Sequence, residues 1–158
     1  MTRRFAGPAD LLTAVGTELG VSPWRPVTQS LIDGFAALNG DRQWIHVDPQ
    51  RAATGPFGAP IAHGYLLLAL VTPMLDEIFT VEGGAPALNK GVDRLRFRGP
   101  VTAGARIRAR AVLSSAVTVP GGYVDVTVAV TVEREGERVP AYTMDSLMLF
   151  RRDVVASR

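Results

Sequence analysis

Residues 40 to 50 read GDRQWIHVDPQ and place an acid, Asp41, five positions before a histidine, His46. A carboxylate and an imidazole that face the same water can remove a proton from it and return one, which is general acid–base catalysis. An isolated histidine is more often a structural group whose hydrogen bonds are satisfied. The interpretation therefore depends on whether the surrounding elements bring both side chains together.

A second stretch with chemical potential is PIAHG at residues 60–64. An apolar run follows it, so we predict that it starts a buried helix, where the first backbone N–H groups lack intrahelical acceptors. Gly64 would let a ligand carbonyl approach these N–H groups, which would stabilise negative charge on its oxygen. Close packing of a neighbour against the helix explains Gly64 equally well. His63 is predicted to orient this turn rather than to move protons.

A helix is predicted directly before the acid and the histidine. Within residues 28–40, apolar side chains recur three and four positions apart, as they do on the buried face of a helix. These side chains are Leu31, Phe35 and Leu38. Thr28 and Ser30 are candidate N-caps, and Gly40 is the candidate stop. Asp41 should then lie just beyond a helix C-terminus.

The segment from Asp41 to Pro60 is predicted to be a long loop. Its prolines and glycines oppose a long helix, although residues 47–53 could form one turn. Loops of this length inside a compact domain are usually functional. The loop is therefore the first place to look for a site.

The remaining elements predict an α+β fold. Residues 61–79 are apolar on nearly every side, which predicts a long central helix. From Ala87 onward, apolar residues recur at every second position, which predicts antiparallel strands with one apolar face. The predicted strands cover residues 94–98, 106–111, 123–133 and about 139–151. Such a sheet would wrap the helix in a single domain over residues 1–158, and its exposed edge predicts a homodimer.

Composition excludes several other classes of protein. The chain has no cysteine, so disulfides, thiolate metal ligands and cysteine nucleophiles are excluded. The N-terminal sequence lacks the apolar run of a signal peptide, which favours a cytoplasmic location, and the longest apolar stretch is too short to span a membrane. The net charge is +2, with 16 arginines and one lysine. No stacking platform or recognition helix indicates nucleic-acid binding.

Together, the two stretches resemble a known family. GDRQWIHVDPQRA followed by FGAPIAHGYLLLAL is similar to MaoC-like (R)-specific enoyl-CoA hydratases, whose motif is close to GDxNPIHxD followed by AHG and an apolar helix. The downstream LNKGVDRLRFRGPVTAGARIRA resembles the family's strand pair, so the resemblance covers nearly the whole chain from Val27. It implies a hot-dog fold, in which an antiparallel sheet wraps a long central helix.

The resemblance also implies a reaction. The family's catalytic pair falls on Asp41 and His46, and its thioester-binding backbone N–H falls on Gly64. The implied reaction is reversible syn addition of water to a trans-2-enoyl thioester, which gives the (3R)-3-hydroxyacyl thioester. It requires neither a metal nor a redox cofactor, and coenzyme A enters only as part of the substrate.

The chain departs from the family motif at two adjacent positions. Gln43 stands where asparagine is usual, and we assign it to holding the loop or the substrate. Trp44 stands where proline is usual and could shape the acyl tunnel together with Phe57. Both departures leave the acid and the histidine in place.

Arginines alternate with apolar residues along segments 94–98 and 106–110. If these segments pair as a hairpin, like charges oppose each other unless an anion intervenes. Neighbouring acids are one source of neutralising charge, and they are the favoured one because charged rows on strands usually form a solvated face. The phosphates of coenzyme A are the other, and they would be bound by Arg96 and Arg98.

Two other functions stay compatible with the sequence. A thioesterase on the same fold would bind the same substrates but direct water to the thioester carbon. A non-catalytic acyl-binding or partner subunit would be expected to lack Asp41 or His46, and both are present. The sequence leaves open the acyl length, the choice between coenzyme A and acyl carrier protein, the physiological direction and which member of the pair is the base.

Overall fold

The computed structural model describes residues 2–83 and 86–151. The strands are β1 (Arg3–Phe5), β2 (Glu18–Val21), β3 (Arg25–Pro26), β4 (Phe79–Val81), β5 (Leu88–Phe97), β6 (Arg106–Val119), β7 (Tyr123–Arg134) and β8 (Tyr142–Arg151). The helices are a 3-10 helix (Pro8–Thr13), α1 (Gln29–Asn39), α2 (Trp44–Val47), α3 (Pro49–Ala53), α4 (Gly64–Ala69) and α5 (Val71–Ile78). None of the described helices is long and apolar enough to cross a membrane.

A six-stranded antiparallel sheet forms one layer of the fold. Its order is β2-β6-β7-β8-β5, with β3 also paired to β6, while β1 and β4 form a separate parallel pair. The apolar face of β7 is fully covered: its inward residues are Val124, Val126, Val128, Val130 and Val132. The prediction of an antiparallel sheet with one apolar face is confirmed. The short strands β2 and β3 were not predicted, because strands of four and two residues leave no periodic pattern.

The suggested hairpin between residues 94–98 and 106–110 is wrong. β5 pairs with β8 at one edge of the sheet, and β6 pairs with β7 and β2. Two main-chain hydrogen bonds join the connection between β5 and β6 to other segments: Val101 O accepts from Ala62 N at 2.8 Å, and Gly104 N donates to Val27 O at 2.7 Å. The connection therefore does not form a tight turn, and β6 pairs with strands other than β5.

Acids neutralise the arginines of β6. Arg106 pairs with Glu135 at 2.9 Å, and Arg108 pairs with Glu133 at 2.7 Å. Partial burial of Glu133 would raise its pKa, but hydrogen bonds from Arg108 and Arg110 outweigh burial and lower that pKa. The ion-pair interpretation therefore holds for this row.

The central helix consists of two segments that meet at Leu70. Pro73 lies in the first turn of α5 and has no N–H to donate to a carbonyl of the preceding turn, so one continuous helix is interrupted there. The Tyr142 hydroxyl donates to Leu67 O at 2.8 Å, and burial raises the pKa of Tyr142. The helix packs against the apolar face of the sheet, yet one stripe of the helix stays exposed: Tyr65, Ala69, Thr72 and Asp76.

Helix α1 begins and ends where the sequence predicts. The Thr28 hydroxyl caps its N-terminus by accepting from Leu31 N at 3.2 Å, and Gly40 ends it at φ +82°, which favours glycine. Its buried face, however, centres on Ile32 and Ala36. The prediction that Leu38 belongs to that face is wrong, since Leu38 is 82% exposed.

Candidate active site

The long loop after α1 is ordered by two short helices that set the position of His46. α2 carries His46, and Asp48 caps α3 by accepting from Arg51 N at 3.0 Å, with Pro49 at the first helical position. Gln29 in α1 donates its Nε2–H to His46 O at 2.8 Å. Gln29 lies 17 positions before His46, so no local sequence signal indicates this contact.

The side chains of Asp41 and His46 face each other at a distance that one water molecule could bridge. His46 Nε2 lies 3.9 Å from Asp41 Oδ2, too far for a direct hydrogen bond. His46 Nδ1 lies 2.6 Å from Ile61 O. A carbonyl oxygen only accepts, so Nδ1 carries the proton and Nε2 presents a lone pair towards Asp41. One water between them could donate to both groups.

Asp41 is held as an ionised carboxylate. Its Oδ1 accepts from Gln43 N at 3.3 Å and its Oδ2 from Gln43 Nε2 at 3.5 Å. Desolvation of this carboxyl would raise its pKa, but hydrogen bonds from the side chain and the backbone of Gln43 lower the pKa of Asp41 below its usual value. Gln43 therefore contacts the acid itself. The Asp41 carboxylate therefore faces His46 Nε2 as a hydrogen-bond acceptor.

His63 lies directly behind the pair. It is 3% exposed, and its Nε2–H donates to Asp41 O at 2.9 Å. Its ring stacks on the ring of His46, with 3.8 Å between centroids and 24° between planes, and Phe35 lies 5.2 Å away on another side. His63 also provides the residue before Gly64, so it links the pair to the start of α4.

Asp41, His46 and His63 together form a set of side chains of the kinds that bind metal ions. Ligand atoms of Asp41, His46 and His63 lie within 4.8 Å of one another, a grouping that the sequence did not indicate. His46 Nδ1 and His63 Nε2 face the carbonyl oxygens of Ile61 and Asp41, however, so neither of these two nitrogens is free to bind an ion.

Gly64 occupies the first position of α4, where its N–H has no intrahelical acceptor. A Cβ on Gly64 would lie 2.9 Å from Phe97 Cζ, so Phe97 would have to shift to admit any larger residue here. The cleft beside Gly64 has a volume of about 420 Å³. Its lining includes Ala62, Leu67, Phe97, Arg98 and Val101.

The other predicted residues lie farther from the pair. Trp44 packs against Gly55 and beneath the Arg51 guanidinium, which lies 4.4 Å from its ring, so it holds the loop. Arg96 is exposed and donates to Leu95 O at 2.8 Å, and it does not line the Gly64 cleft. Thus the structure brings Asp41, Gln43 and His46 together, with Gly64 one residue beyond His63.

Comparison with known proteins decides the family. A model described as MaoC like domain matches residues 10–136. The chain belongs to the MaoC-like domain family. The MaoC-like chain is 43% identical over 148 residues to 3-hydroxyacyl-thioester dehydratase Z of Mycobacterium tuberculosis, a match that covers 94% of this chain and 98% of the relative. It is 42% identical over 147 residues to Nodulation protein N of Rhizobium leguminosarum bv. viciae, covering 92% of this chain and 91% of the relative.

Solved structures share the fold of the MaoC-like chain. R-hydratase PhaJ1 from Pseudomonas aeruginosa superposes with a TM-score of 0.71 at 23% identity, over 94% of this chain and 88% of that one. The (R)-hydratase from A. caviae involved in PHA biosynthesis gives a TM-score of 0.69 at 24% identity, over 88% and 96%. The predicted hot-dog fold is confirmed.

Proposed function

We propose that the MaoC-like chain is a hydro-lyase that catalyses the reversible syn hydration of trans-2-enoyl thioesters to (3R)-3-hydroxyacyl thioesters, a reaction of fatty acid metabolism. The observation that carries this proposal is the distance of 3.9 Å between His46 Nε2 and Asp41 Oδ2. Two acceptors at this separation orient one water through both of its O–H groups. The relationship to a 3-hydroxyacyl-thioester dehydratase over 94% of the chain supports the same reaction.

His46 is proposed to act as the base. The pKa of Asp41 is lowered, which makes its carboxylate the weaker proton acceptor, whereas Nε2 of His46 is free because Nδ1–H is bound to Ile61 O. The water oxygen bonds to C3 as Nε2 takes its proton, and the imidazolium then returns that proton to C2 on the same face. Asp41 orients the water and stabilises the imidazolium.

The backbone N–H of Gly64 is proposed to stabilise the thioester oxygen. Electron density moves onto this oxygen when the water attacks C3, and a fixed donor lowers the energy of that state. Gly64 follows His63, which stacks on His46, so the N–H and the base are held by the same segment. No step needs a metal or a redox cofactor, since the reaction transfers only protons and water.

Crotonyl-CoA tests the function directly. We expect the pure wild-type chain to remove the conjugated enoyl absorbance and to form 3-hydroxybutyryl-CoA of the R configuration, with no release of free thiol. Thiol release without loss of the enoyl group would instead establish a thioesterase. Inertness of the protein towards enoyl thioesters of every chain length tested would contradict both activities.

Arg96 and Arg98 are proposed to bind the phosphates of coenzyme A. Arg94 is occupied by Asp145 at 2.6 Å, whereas Arg96 and Arg98 form no ion pair with any described residue. These three arginines line one shallow hollow, and Arg98 also lines the Gly64 cleft, so it lies between the two. An acyl carrier protein would present only the single phosphate of its pantetheine arm.

Replacing Arg98 by glutamine is expected to raise KM for crotonyl-CoA by up to about fivefold, the scale of an exposed charge pair. KM for crotonyl-pantetheine, which lacks the phosphates, should not change. Arg106→Gln serves as the control, because Arg106 is also an exposed strand arginine but is paired with Glu135. An equal rise with both substrates would exclude the phosphate role.

A second copy of the chain is proposed to pair along β5. This ten-residue strand lies at the edge of the sheet, and its exposed apolar residues are Leu88, Val92 and Phe97. A long apolar edge is rarely left unpaired. Light scattering is expected to give twice the chain mass of 16.9 kDa, and a monomer at micromolar concentration would contradict the proposed dimer.

The cytoplasmic location suggested by the sequence stays a prediction.

A further inference from the structure

His63 is buried, touches both members of the catalytic pair and has no step of its own in the proposed reaction. Its Nε2–H donates to the main-chain oxygen of Asp41 at 2.9 Å, while its ring stacks on the ring of His46 at 3.8 Å. One side chain therefore holds the backbone of the acid and the ring of the base at once. His63 occupies the N-cap position of α4, but its side chain makes no capping hydrogen bond.

The tautomer of His63 follows from its partners. Nε2 must carry the proton because Asp41 O only accepts, and Nδ1 is buried without a hydrogen-bond partner among the described residues. His63 contacts His46 through the face of its ring. Leaving a buried polar atom unpaired is unfavourable, and such a group in a folded protein calls for an explanation.

We infer that His63 is a positioning residue for the hydration reaction, holding the His46 ring and the Asp41 main chain in the arrangement in which both accept from one water. This inference rests on the proposed function. Without the stacked ring, the imidazole of His46 could rotate about the hydrogen bond between its Nδ1 and Ile61 O, and its Nε2 would no longer face the Asp41 carboxylate. Displacements of about 1 Å at a reacting group can reduce the rate about a hundredfold.

Two variants separate the two contacts. His63→Gln can keep an N–H donor near Asp41 O but has no ring, and His63→Phe keeps a ring on His46 but has no donor. Each is expected to lower kcat for crotonyl-CoA about a hundredfold with little change in KM, because substrate binding is left intact. Val126→Ala is the control for stability, since Val126 is fully buried in β7 away from the site. It should lower Tm and leave kcat unchanged.

Nuclear magnetic resonance gives a readout that needs no activity. The chain has two histidines, so each His63 variant contains His46 alone and its imidazole signals are assigned without ambiguity. We expect His46 in the wild type and in His63→Phe to carry its proton only on Nδ1, because a ring still stacks on it, and His63→Gln, which has no ring, to show exchange between the two tautomers. A single Nδ1–H tautomer in His63→Gln, or a kcat equal to that of Val126→Ala in either variant, would overturn the inference. An inert wild type that shows the expected tautomers would instead refute the proposed function.

Discussion

Replacing His46 by alanine is expected to lower kcat for crotonyl-CoA hydration by about 10²- to 10⁴-fold, the usual contribution of a positioned general acid–base. His46 Nε2 is the acceptor that faces the Asp41 carboxylate, and the bond from Nδ1–H to Ile61 O keeps that lone pair available. Asp41 alone could still hold a water. Its lowered pKa makes it a poor substitute for the base.

Asp41→Asn tests the other half of the pair. The amide keeps the shape of the carboxylate but turns one acceptor into a donor, so the water would lose an acceptor and a charge that stabilises the imidazolium. Asp48→Asn is the matched control: it is the same substitution in the same loop, and asparagine caps a helix about as well as aspartate. Kinetics should show a large loss of kcat for Asp41→Asn and wild-type kcat for Asp48→Asn. Wild-type kcat in His46→Ala would refute the assigned base.

The proximity of Asp41 and His46 could be predicted from the sequence because the elements that place them are local. Asp41 follows a helix stop at Gly40, and His46 sits on a single turn of helix, so five residues of loop determine most of their separation. Thr28 and Gly40 mark the ends of α1 through contacts within a few residues. Signals of this range can be read from one segment of chain.

The residues that hold the pair could not be predicted in the same way. Ile61 O fixes the tautomer of His46 from 15 positions away, and Gln29 binds His46 O from 17 positions away. Every residue carries a backbone carbonyl oxygen, so no sequence motif marks the one that accepts from His46. The partner of β5 is hidden for a similar reason, since the alternation of β5 predicts a strand but not which strand it joins.

Trp44 shows how a departure from a motif can be structural. It replaces the usual proline of the family motif, and the structure places it between Gly55 and the guanidinium of Arg51. A Cβ on Gly55 would lie 2.9 Å from the Trp44 ring, so the two positions are matched in size. The bulky side chain thus fastens the loop that carries His46, whereas the sequence alone suggested a wall of the acyl tunnel.

Substituting Gly64 by alanine is expected to reduce both stability and activity, and a second substitution can separate the two effects. The added Cβ would meet Phe97 at 2.9 Å, and overpacking of this kind destabilises a protein by about 1–3 kcal/mol. Phe97 is 48% exposed, so it can be shortened with less damage than a core residue. In a Phe97→Ala background, Gly64→Ala should therefore have little effect on Tm.

Activity should respond differently in the same double-mutant cycle. If the N–H of Gly64 meets the thioester oxygen, a methyl group in this cleft still blocks the approach after Phe97 has been removed. The kcat of the double variant should then stay about 10²- to 10³-fold below that of Phe97→Ala alone, which is the loss seen when one oxyanion donor is removed. Recovery of kcat together with Tm, relative to Phe97→Ala alone, would show that Gly64 is required only for packing. The cycle thus decides between the two interpretations of Gly64 that its sequence position left open.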